Sequence, residues 1–397
     1  MPPGRAPTDL VAKLKIGLYV ENGMKQSDVC RTLGVSQSTV SRTVDWLEHK
    51  GWAKWVLLRD RIGTEELERA NSTVEGSLAL ASRLANLHKS NHLPHAVAVS
   101  VFASQTPGAA GDPARQLIDF ANAAAPTVRQ LLAAVVGNCG VTWGQSIGAL
   151  ISALERMPAG PNVPQGTQVV PLCGDTFGGK GTSLNSSSAL SQRLARVLNR
   201  DEPPQLSLAL LPAFVPAEFT SAEQRAIWKL IDKIEAYREI FGKKSAQSEP
   251  SGQSPHLAGS LNAIISGISR DGEPFGFGSG GFFHADDAHF NATQIKKCVL
   301  ADLGGVLLAR QGVDEKGALI VENLKRRWTG LRIEDLAACA TRAASAAGRT
   351  SLPGVILFAM GRDKAEPAAA AVGRGLVNHL VIDIGLAEAM LAVLPRQ

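Results

Sequence analysis

The sequence predicts an α/β protein with two parts: an N-terminal winged helix-turn-helix unit, and a larger domain with a doubly wound, mostly parallel sheet. Two observations support this prediction. Residues 27–50 form a pattern of two short helices separated by a glycine turn. From residue 94 onward, short β-prone runs alternate with single helical stretches. That alternation is typical of βαβ units, which build a parallel sheet covered by helices on both faces.

Composition sets the broad class of the protein. The chain has 397 residues, 45% of them hydrophobic and 19% charged, which is typical of a globular protein with two or three domains. The net charge is +5, and residues 1–60 hold nine Lys or Arg against six Asp or Glu. A local excess of positive charge fits a segment that contacts nucleic acid, although it does not prove such contact.

The cysteines and the apolar runs bear on the cellular compartment. Five cysteines lie scattered in apolar runs without a CxxC pair, which predicts buried, reduced thiols in a cytoplasmic protein. No signal peptide and no run long enough to span a bilayer is expected. The histidines lack ligand spacing, and His284–His289 is only a weak metal candidate, so we expect neither a metal nor a cofactor.

The first helix is expected at residues 9–21. Thr8 can cap it, Leu10, Leu14 and Leu18 recur at helical spacing, and Asn22-Gly23 ends it.

Two further helices, at 27–33 and 37–49, are joined by a tight turn. Gly34 suits a left-handed turn, and Ser36 is a good N-cap for the second helix. This order favours a DNA-reading unit over an ordinary surface hairpin, because short polar side chains then lie on the outer face where that helix begins. The residues expected to contact DNA are Lys25, Gln26, Ser36, Gln37, Ser38, Thr39, Ser41 and Arg42.

A strand and a long helix follow the unit. Residues 52–58 are β-prone, as the strand of a wing would be. Residues 64–89 are helix-compatible, and their apolar stripe suits either a dimerisation helix or a strut packed on its own domain. The expected domains are therefore 1–60 for DNA binding, 61–92 as a helical linker, and 93–397 as the effector and oligomerisation domain.

The larger domain is predicted from its alternating runs. The β-rich runs lie at 96–102, 134–137, 168–173, 206–211, 261–268, 299–308, 354–358 and 379–382. The helical stretches lie at 114–132, 146–155, 184–198, 221–241, 333–347, 364–374 and 386–394. Residues 243–259 are polar and lack a period, which predicts an exposed loop.

Four junctions that follow β-rich runs could hold an anion. They lie at 138–144, 173–182, 267–272 and 359–364. Ligands bind at the carboxyl ends of parallel strands, and glycine-rich turns there free backbone N–H groups for a phosphate. The four junctions do not match the P-loop pattern, and the dinucleotide fingerprint is absent from the first βα turn, which disfavours a nucleotide and favours a phosphorylated small molecule. Asp302 and Asp383 each follow a β-run and could either accept a sugar hydroxyl or cap the following turn.

Taken together, these motifs resemble those of the SorC/DeoR-type sugar-binding transcriptional regulators. The resemblance covers almost the whole chain. It rests on LGVSQSTVSRTVDWLEHKGW in the N-terminal unit, GVTWGQSIGAL at 140–150, VVPLCG at 169–174 with Asn185, and AMGRDKAEPAAAAVGRGLVNHLVIDIGLAEAML at 359–391. Gln145 stands where some relatives have a lysine, so a Schiff base with an aldehyde sugar is not expected there.

The resemblance implies an effector domain similar to ribose-5-phosphate isomerase and glucosamine-6-phosphate deaminase, used as a sensor. It also implies a homo-oligomer, a dimer or tetramer, that binds operator DNA and a phosphorylated sugar. With the junctions above, it assigns effector binding to Gly140, Thr142, Trp143, Gln145, Cys173, Gly174, Ser183, Asn185, Gly267, Ser269, Asp302, Gly361 and Lys364.

The main functional hypothesis is a ligand-responsive transcription factor. The alternative from another class is a sugar-phosphate isomerase, deaminase or kinase with an accessory DNA-binding domain, for which no paired acid and base stand out. A non-sensing architectural DNA-binding protein is a third reading, and it would have little use for four anion-suited junctions.

Overall fold

The computed structural model describes residues 9–50, 52, 64–103, 112–158, 167–174, 183–198, 206–208, 211–215, 219–242, 256–272, 292–346 and 352–395. Within these ranges the α-helices are α1 (Leu10–Glu21), α2 (Gln26–Leu33), α3 (Gln37–His49), α4 (Thr64–Lys89), α5 (Pro113–Ala133), α6 (Gln145–Arg156), α7 (Ser187–Leu198), α8 (Ser221–Ile231), α9 (Glu235–Phe241), α10 (Ala292–Cys298), α11 (Glu315–Arg327), α12 (Ile333–Ser345), α13 (Ala365–Gly373) and α14 (Ile384–Val393). The strands are β1 (Ala98–Phe102), β2 (Asn138–Val141), β3 (Gln168–Pro171), β4 (Ala263–Ser266), β5 (Val299–Leu303), β6 (Val306–Ala309), β7 (Gly354–Ala359) and β8 (His379–Asp383).

Six parallel strands form the central sheet of the larger domain. Their order is β1-β8-β7-β4-β2-β3, and each recorded pairing between neighbours is parallel. All six therefore end at the same edge, where the loops after β2, β3, β4 and β7 come together.

Side chains alternate between two apolar layers across this sheet. In β7, Val355 and Leu357 pack into one layer with α4, α12, α13 and α14. Ile356 and Phe358 pack into the other with α5, α6 and α7, where Phe358 stacks on Phe120 at 4.5 Å between ring centroids. A strand buried on both faces reads as a continuous apolar run, as β7 does in the sequence.

The N-terminal unit has its own small core, and α4 connects it to the sheet. Leu14, Leu18, Val40 and Leu47 are fully or almost fully buried there, together with Val74 from α4. Further along, α4 contributes Leu80, Leu84 and Leu87 to the core of the sheet domain. The same helix is therefore part of both cores.

The predicted fold class holds, with corrections in detail. Residues 134–137 precede the strand, which is β2 at Asn138–Val141. Residues 299–308 were predicted as one run but form an antiparallel hairpin of β5 and β6. Residues 206–208 and 211 belong to no strand. The stretch 221–241 is two helices rather than one, and helices α10 and α11 were not predicted.

Several predictions fall at the ends of helices or outside the described residues. Asp9, not Thr8, caps α1, because its carboxylate accepts the Val11 N–H at 3.1 Å. The predicted wing strand at 52–58, except Trp52, lies outside the described ranges, as does His284–His289. The loop predicted at 243–259 is described only from residue 256 onward.

Candidate functional site

The turn between α2 and α3 has the backbone that the sequence predicts. Gly34 is left-handed with φ +64°. The Val35 N–H donates to the Cys30 carbonyl at 3.1 Å, which closes the turn. The Ser36 hydroxyl accepts the Thr39 N–H at 3.2 Å and caps α3. Local turn and cap chemistry therefore sets where α3 begins.

The first turns of α3 present a polar face to solvent. Gln37, Ser38 and Arg42 are exposed, and Ser41 is half-buried. The Arg42 Nε donates to the Ser38 carbonyl at 3.0 Å, so the guanidinium lies along this face. Such a face suits the base edges and phosphates of a major groove.

The prediction that Thr39 lies on this outer face is wrong. Thr39 is only 3% exposed, and its hydroxyl lies 2.8 Å from that of Ser36. It supports the helix cap from inside the unit instead of facing a partner.

The beginning of α2 offers a second polar patch. Lys25 is exposed at the N-cap position of α2, and Gln26 follows as the first helical residue, half-buried. Sequence reasoning did not single out Lys50, which is exposed just after α3, or Lys13, whose ammonium lies 4.0 Å from the centre of the Trp46 ring. Both add positive charge to the unit.

The turn of this unit rests directly on the sheet domain. A Cβ built on Gly34 would lie 2.6 Å from the Thr127 backbone nitrogen and 2.8 Å from the Pro126 carbonyl oxygen. The Thr127 hydroxyl donates to the Thr32 carbonyl at 3.4 Å. The helix-turn-helix unit is therefore packed on α5, with no room for a side chain between Gly34 and this helix.

At the carboxyl edge of the sheet, the loops after β2 and β4 meet. Thr142 is fully buried, and its hydroxyl donates to the Ser266 hydroxyl at 3.4 Å. The Gly304 N–H in the β5–β6 turn donates to the Gly267 carbonyl at 3.1 Å. A Cβ on Gly304 would lie 2.3 Å from Thr142 Cγ2, so the hairpin closes over these loops.

Ser269 and Asp302 join the third loop to the hairpin. The Asp302 N–H donates to the Ser269 hydroxyl at 2.8 Å, and the Ser269 N–H donates to the Asp302 carbonyl at 3.0 Å. The buried Asp302 carboxylate accepts the Gly305 N–H at 2.7 Å. Of the two roles left open by the sequence, the structure records the turn-capping one.

Lys364 lies among charged groups of these loops. It is half-buried, and burial lowers the pKa of its ammonium, an effect opposed by Asp363, Asp383 and Asp302 and reinforced by Arg270. Arg270 itself pairs with Asp363 at 2.9 Å. An anion bound beside Lys364 would stabilise its charged form, because a nearby opposite charge raises the pKa of an ammonium.

The Gly361 N–H is already engaged. It donates to the Asp383 carboxylate at 2.9 Å, and the same oxygen accepts the Leu386 N–H at 3.2 Å. Asp383 therefore caps α14 and holds the fourth loop at once. This N–H is therefore not open to a phosphate in the structure, and the backbone of Gly361 has a positive φ of +109°.

Three predicted effector residues make packing contacts in the structure. Gly140 lies inside β2 and is needed for packing, because a Cβ there would lie 2.6 Å from Leu172 Cδ1. Cys173 is fully buried in an apolar cluster with Trp328. Gly174 lies against the chain at Leu211, whose carbonyl oxygen would be 2.4 Å from its Cβ.

Four others surround the start of α6 and its neighbour loop. Gln145, the first residue of α6, is exposed, and Trp143 is half-buried two residues earlier. The Asn185 carbonyl accepts the Gly144 N–H at 3.1 Å. The Asn185 side chain occupies the place where a Cβ on Gly148 would lie, with Oδ1 2.1 Å from it. Ser183 begins the short 3-10 turn that ends at Asn185.

The start of α6 is itself suited to an anion. Its N-cap is Gly144, with φ +120°, and no side chain caps the helix. Unpaired N–H groups at a helix start attract negative charge.

An aromatic cluster beside these loops was missed by sequence reasoning. The Trp328 ring lies 5.7 Å from Trp143 and 4.9 Å from Phe214, measured between ring centroids. A Cβ on Gly305 would lie 2.0 Å from Trp328 Cζ2, so this ring fixes the hairpin turn. The sequence signal for the turn was the Gly304-Gly305 pair. Trp328, the ring that packs against it, stands alone 23 residues later in the sequence.

A cavity of about 690 Å³ opens beside the third and fourth loops. It is lined by Arg270, Asp271, Arg362, Asp363, Ala365, Glu366, Ala389, Ala392 and Val393. It contains none of the predicted effector residues and lies toward α14. The predicted residues that do meet are Thr142, Gly267, Ser269, Asp302 and Lys364, around the hairpin.

Three further findings concern the cysteines, potential metal ligands and membrane spans. All five cysteines are buried, as predicted, and they form no disulfide with one another. The described residues contain no cluster of potential metal ligands. Among the described helices, none combines the length and apolarity needed to cross a membrane.

Comparison with known proteins gives a domain and a fold. Residues 7–53 match the Homeodomain-like domain. No curated protein matches the chain. Among solved structures, the chain is similar to the full-length sorbitol operon regulator SorC from Klebsiella pneumoniae, with 19% identity, a TM-score of 0.52, and coverage of 96% of this chain and 98% of that one.

Two further structures are similar over the larger part of the chain. One is a domain of a possible sugar-binding transcriptional regulator from Arthrobacter aurescens TC1, with 18% identity, a TM-score of 0.53, and coverage of 80% of this chain and 97% of that one. The other is a transcriptional regulator from Streptococcus pneumoniae TIGR4, with 16% identity, a TM-score of 0.50, and coverage of 78% and 96%. At these identities the likeness shows a shared fold, and it confirms the predicted fold class and the structural side of the resemblance.

Proposed function

We propose that the protein is a DNA-binding transcriptional regulator whose operator binding is controlled by a small phosphorylated sugar at the carboxyl edge of the sheet. One observation carries the proposal. A helix-turn-helix with an exposed polar reading face and an anion-suited group of loops belong to one continuously packed chain. The solved structures of similar fold are regulators by their own description, which supports the same reading.

DNA binding follows from the shape and charge of the N-terminal unit. Gln37, Ser38 and Arg42 lie exposed at the start of α3, where a recognition helix contacts base edges. Lys25 and Lys50 are exposed nearby and are placed to contact phosphates. A single unit makes few such contacts, so tight and specific binding is expected from a homo-oligomer that presents two units to two half-sites.

The ligand class follows from two anion-suited groups. Lys364 follows β7, and the uncapped start of α6 follows β2, with only β4 between these strands. Neighbouring strands are about 4.8 Å apart, so the strands β7 and β2, from which the two loops start, are about 10 Å apart. That distance suits a small molecule with an anionic end and polar middle, and a sugar phosphate has both features.

The geometry favours sensing over catalysis. Isomerisation of a sugar phosphate needs a carboxylate or histidine free to take a proton from the substrate. Asp302 and Asp383 instead accept backbone N–H groups, which hold their carboxylates in place. Assaying turnover of pentose and hexose phosphates tests this point, and any enzymatic rate that Asp302→Asn abolishes would contradict it.

The effector site is tested by thermal shift. Ribose 5-phosphate and other pentose and hexose phosphates are screened against the full chain, and a ligand at about 100 times its dissociation constant adds about 2.7 kcal/mol of stability. Lys364→Ala should lose most of this shift. Lys325→Ala is the matched control, because Lys325 is exposed on α11 and pairs with Glu322 at 2.8 Å. An equal shift in both variants would contradict the assignment of Lys364.

The DNA-reading face is tested by fluorescence anisotropy with a duplex from the region upstream of the gene. Arg42→Ala should weaken binding and reduce its dependence on salt, because a phosphate or base contact is lost. Arg31→Ala is the control, since Arg31 lies exposed on α2 beside Asp28 at 3.3 Å. Equal losses in the two variants would mean that α3 is not the reading helix.

A further inference from the structure

The fourth loop and the start of α14 share one carboxylate oxygen. Asp383 Oδ1 accepts the Gly361 N–H at 2.9 Å and the Leu386 N–H at 3.2 Å. Gly361 begins the segment that carries Lys364, and Leu386 belongs to the first turn of α14. A ligand that moves this loop therefore changes the cap of α14, because one oxygen cannot follow both partners independently.

The first residue of α14 lies on α4. A Cβ built on Gly76 would be 2.4 Å from Ile384 Cδ1, so the end of the isoleucine occupies the place of a side chain that Gly76 lacks. Gly76 is buried in the middle of α4, where glycine is less favourable than alanine. The glycine makes this close contact between the two helices possible.

The same part of α4 belongs to the DNA-reading unit. Ser77, next to Gly76, shares a hydrogen bond with Tyr19 of α1. Val74 and Ala70, about one and two turns earlier, are fully buried in the core of that unit. A displacement of α4 at Gly76 is therefore a displacement of the surface on which α1 packs.

We infer that Ile384, seated on Gly76, couples the loop of Lys364 to the helix-turn-helix through Asp383. This inference rests on the proposed function and adds the regulation of its effector site. Ligand binding at the fourth loop shifts the α14 cap, Ile384 moves with it, and α4 reorients the N-terminal unit. The coupling is reciprocal, so a change at Gly76 also alters the fourth loop.

Hydrogen–deuterium exchange of the full chain tests the inference without DNA or ligand. Asp383→Ala should speed exchange about fivefold in 361–364 and in the first turn of α14, as expected when a cap is lost. It should also speed exchange in α1 and in residues 73–80. In an Ile384→Ala background, Asp383→Ala should still affect the loop and α14, but no longer α1 or residues 73–80.

A size exchange provides the second test if Asp383→Ala does not fold. Gly76→Ala pushes Ile384 aside and should change exchange in 361–364. Gly76→Ala combined with Ile384→Val adds a methyl group to α4 and removes the Cδ1 methyl group from α14. This double variant should restore the wild-type pattern of hydrogen exchange. Val393→Ala, at an exposed position of α14, is the control and should change neither region.

Either of two results with the Asp383→Ala variants would overturn the inference. One is an unchanged exchange rate in α1 when Asp383→Ala speeds exchange in the loop. The other is the same increase in the exchange rate of α1 with and without the Ile384 side chain. For the Gly76 and Ile384 substitutions, an unchanged rate of hydrogen exchange in residues 361–364 of Gly76→Ala would contradict the inference. Because exchange needs no operator or sugar, the coupling can fail while DNA binding and ligand binding persist, and loss of DNA binding would leave this measurement intact.

Discussion

Gly34 is the position where a single methyl group tests the packing of the N-terminal unit on the sheet domain. Gly34→Ala places a Cβ in a left-handed residue, with φ +64°, which is unfavourable by about 1–2 kcal/mol. The same Cβ would lie 2.6–2.8 Å from backbone atoms of Pro126 and Thr127. Backbone of a helix cannot rotate away as a side chain does, so the two units must separate or α5 must shift.

Gly23 supplies the matched control. It is also left-handed, with φ +80°, but a Cβ there meets nothing within 4 Å. Gly23→Ala should therefore lower the free energy of unfolding by about 1–2 kcal/mol through backbone strain alone. Gly34→Ala should lower it by about 1–3 kcal/mol more, the range seen for overpacked contacts.

Urea unfolding followed by tryptophan fluorescence measures the difference, since Trp46 and Trp52 both lie in the N-terminal unit and pack edge to face at 5.3 Å. A separate, earlier transition of this unit in Gly34→Ala would also agree with the reasoning. Equal losses in the two variants would refute it, because the contact with α5 would then contribute nothing.

Three further predictions concern buried titratable groups. Burial lowers the pKa of Lys15 to about 8, so the stability of the protein should rise with pH between about 8 and 10.5, and Lys15→Met should raise the melting temperature and remove this rise. Burial lowers the pKa of His379 to about 4, so stability should fall between pH 6.5 and 4 by at most about 1.4 kcal/mol per pH unit; an unchanged slope of melting temperature in His379→Gln would contradict this. Burial raises the pKa of the Cys139 thiol to about 12, so mass spectrometry should find it unmodified by iodoacetamide at pH 8 until urea unfolds the chain, and rapid labelling of the native protein would disprove the assignment.

Local chemistry explains why the N-terminal helices were predictable. The predicted bounds of α3, 37–49, agree with the structure because Ser36 caps the helix and Gly34 makes the turn, both through bonds within a few residues. The predicted bounds of α4, 64–89, also agree. Thr39 was misplaced because its spacing suits the outer face, while its hydroxyl is drawn inward by the Ser36 cap.

The larger domain was predictable in type more than in register. The alternation of runs and helices indicates a parallel sheet, but an apolar run does not show where pairing begins. Strand β2 starts at Asn138 because its partners β3 and β4 fix the register from distant parts of the chain. The hairpin of β5 and β6 did leave a local signal in the sequence, the Gly304-Gly305 pair. Both glycines have a positive φ in the turn of the hairpin.

The candidate site was predictable as a set of loops and less so as a set of side chains. Parallel strands end at one edge, so Thr142, Ser269 and Lys364 could be expected to approach one another. What Gly140, Cys173 and Gly361 do depends on Leu172, Trp328 and Asp383, which are remote in sequence. The contacts of Gly34 with α5 and of Gly76 with Ile384 have no local sequence signal at all.

The central claim is that operator binding depends on what occupies the loops around Thr142 and Lys364. Its most direct test is the affinity for an upstream duplex, measured by anisotropy at fixed salt with and without each sugar phosphate that shifts the melting temperature. We expect at least one such ligand to change the dissociation constant about fivefold or more, the lower end of typical coupling between sites. An unchanged dissociation constant with a ligand that saturates the wild-type protein, and whose binding Lys364→Ala abolishes, would contradict the claim.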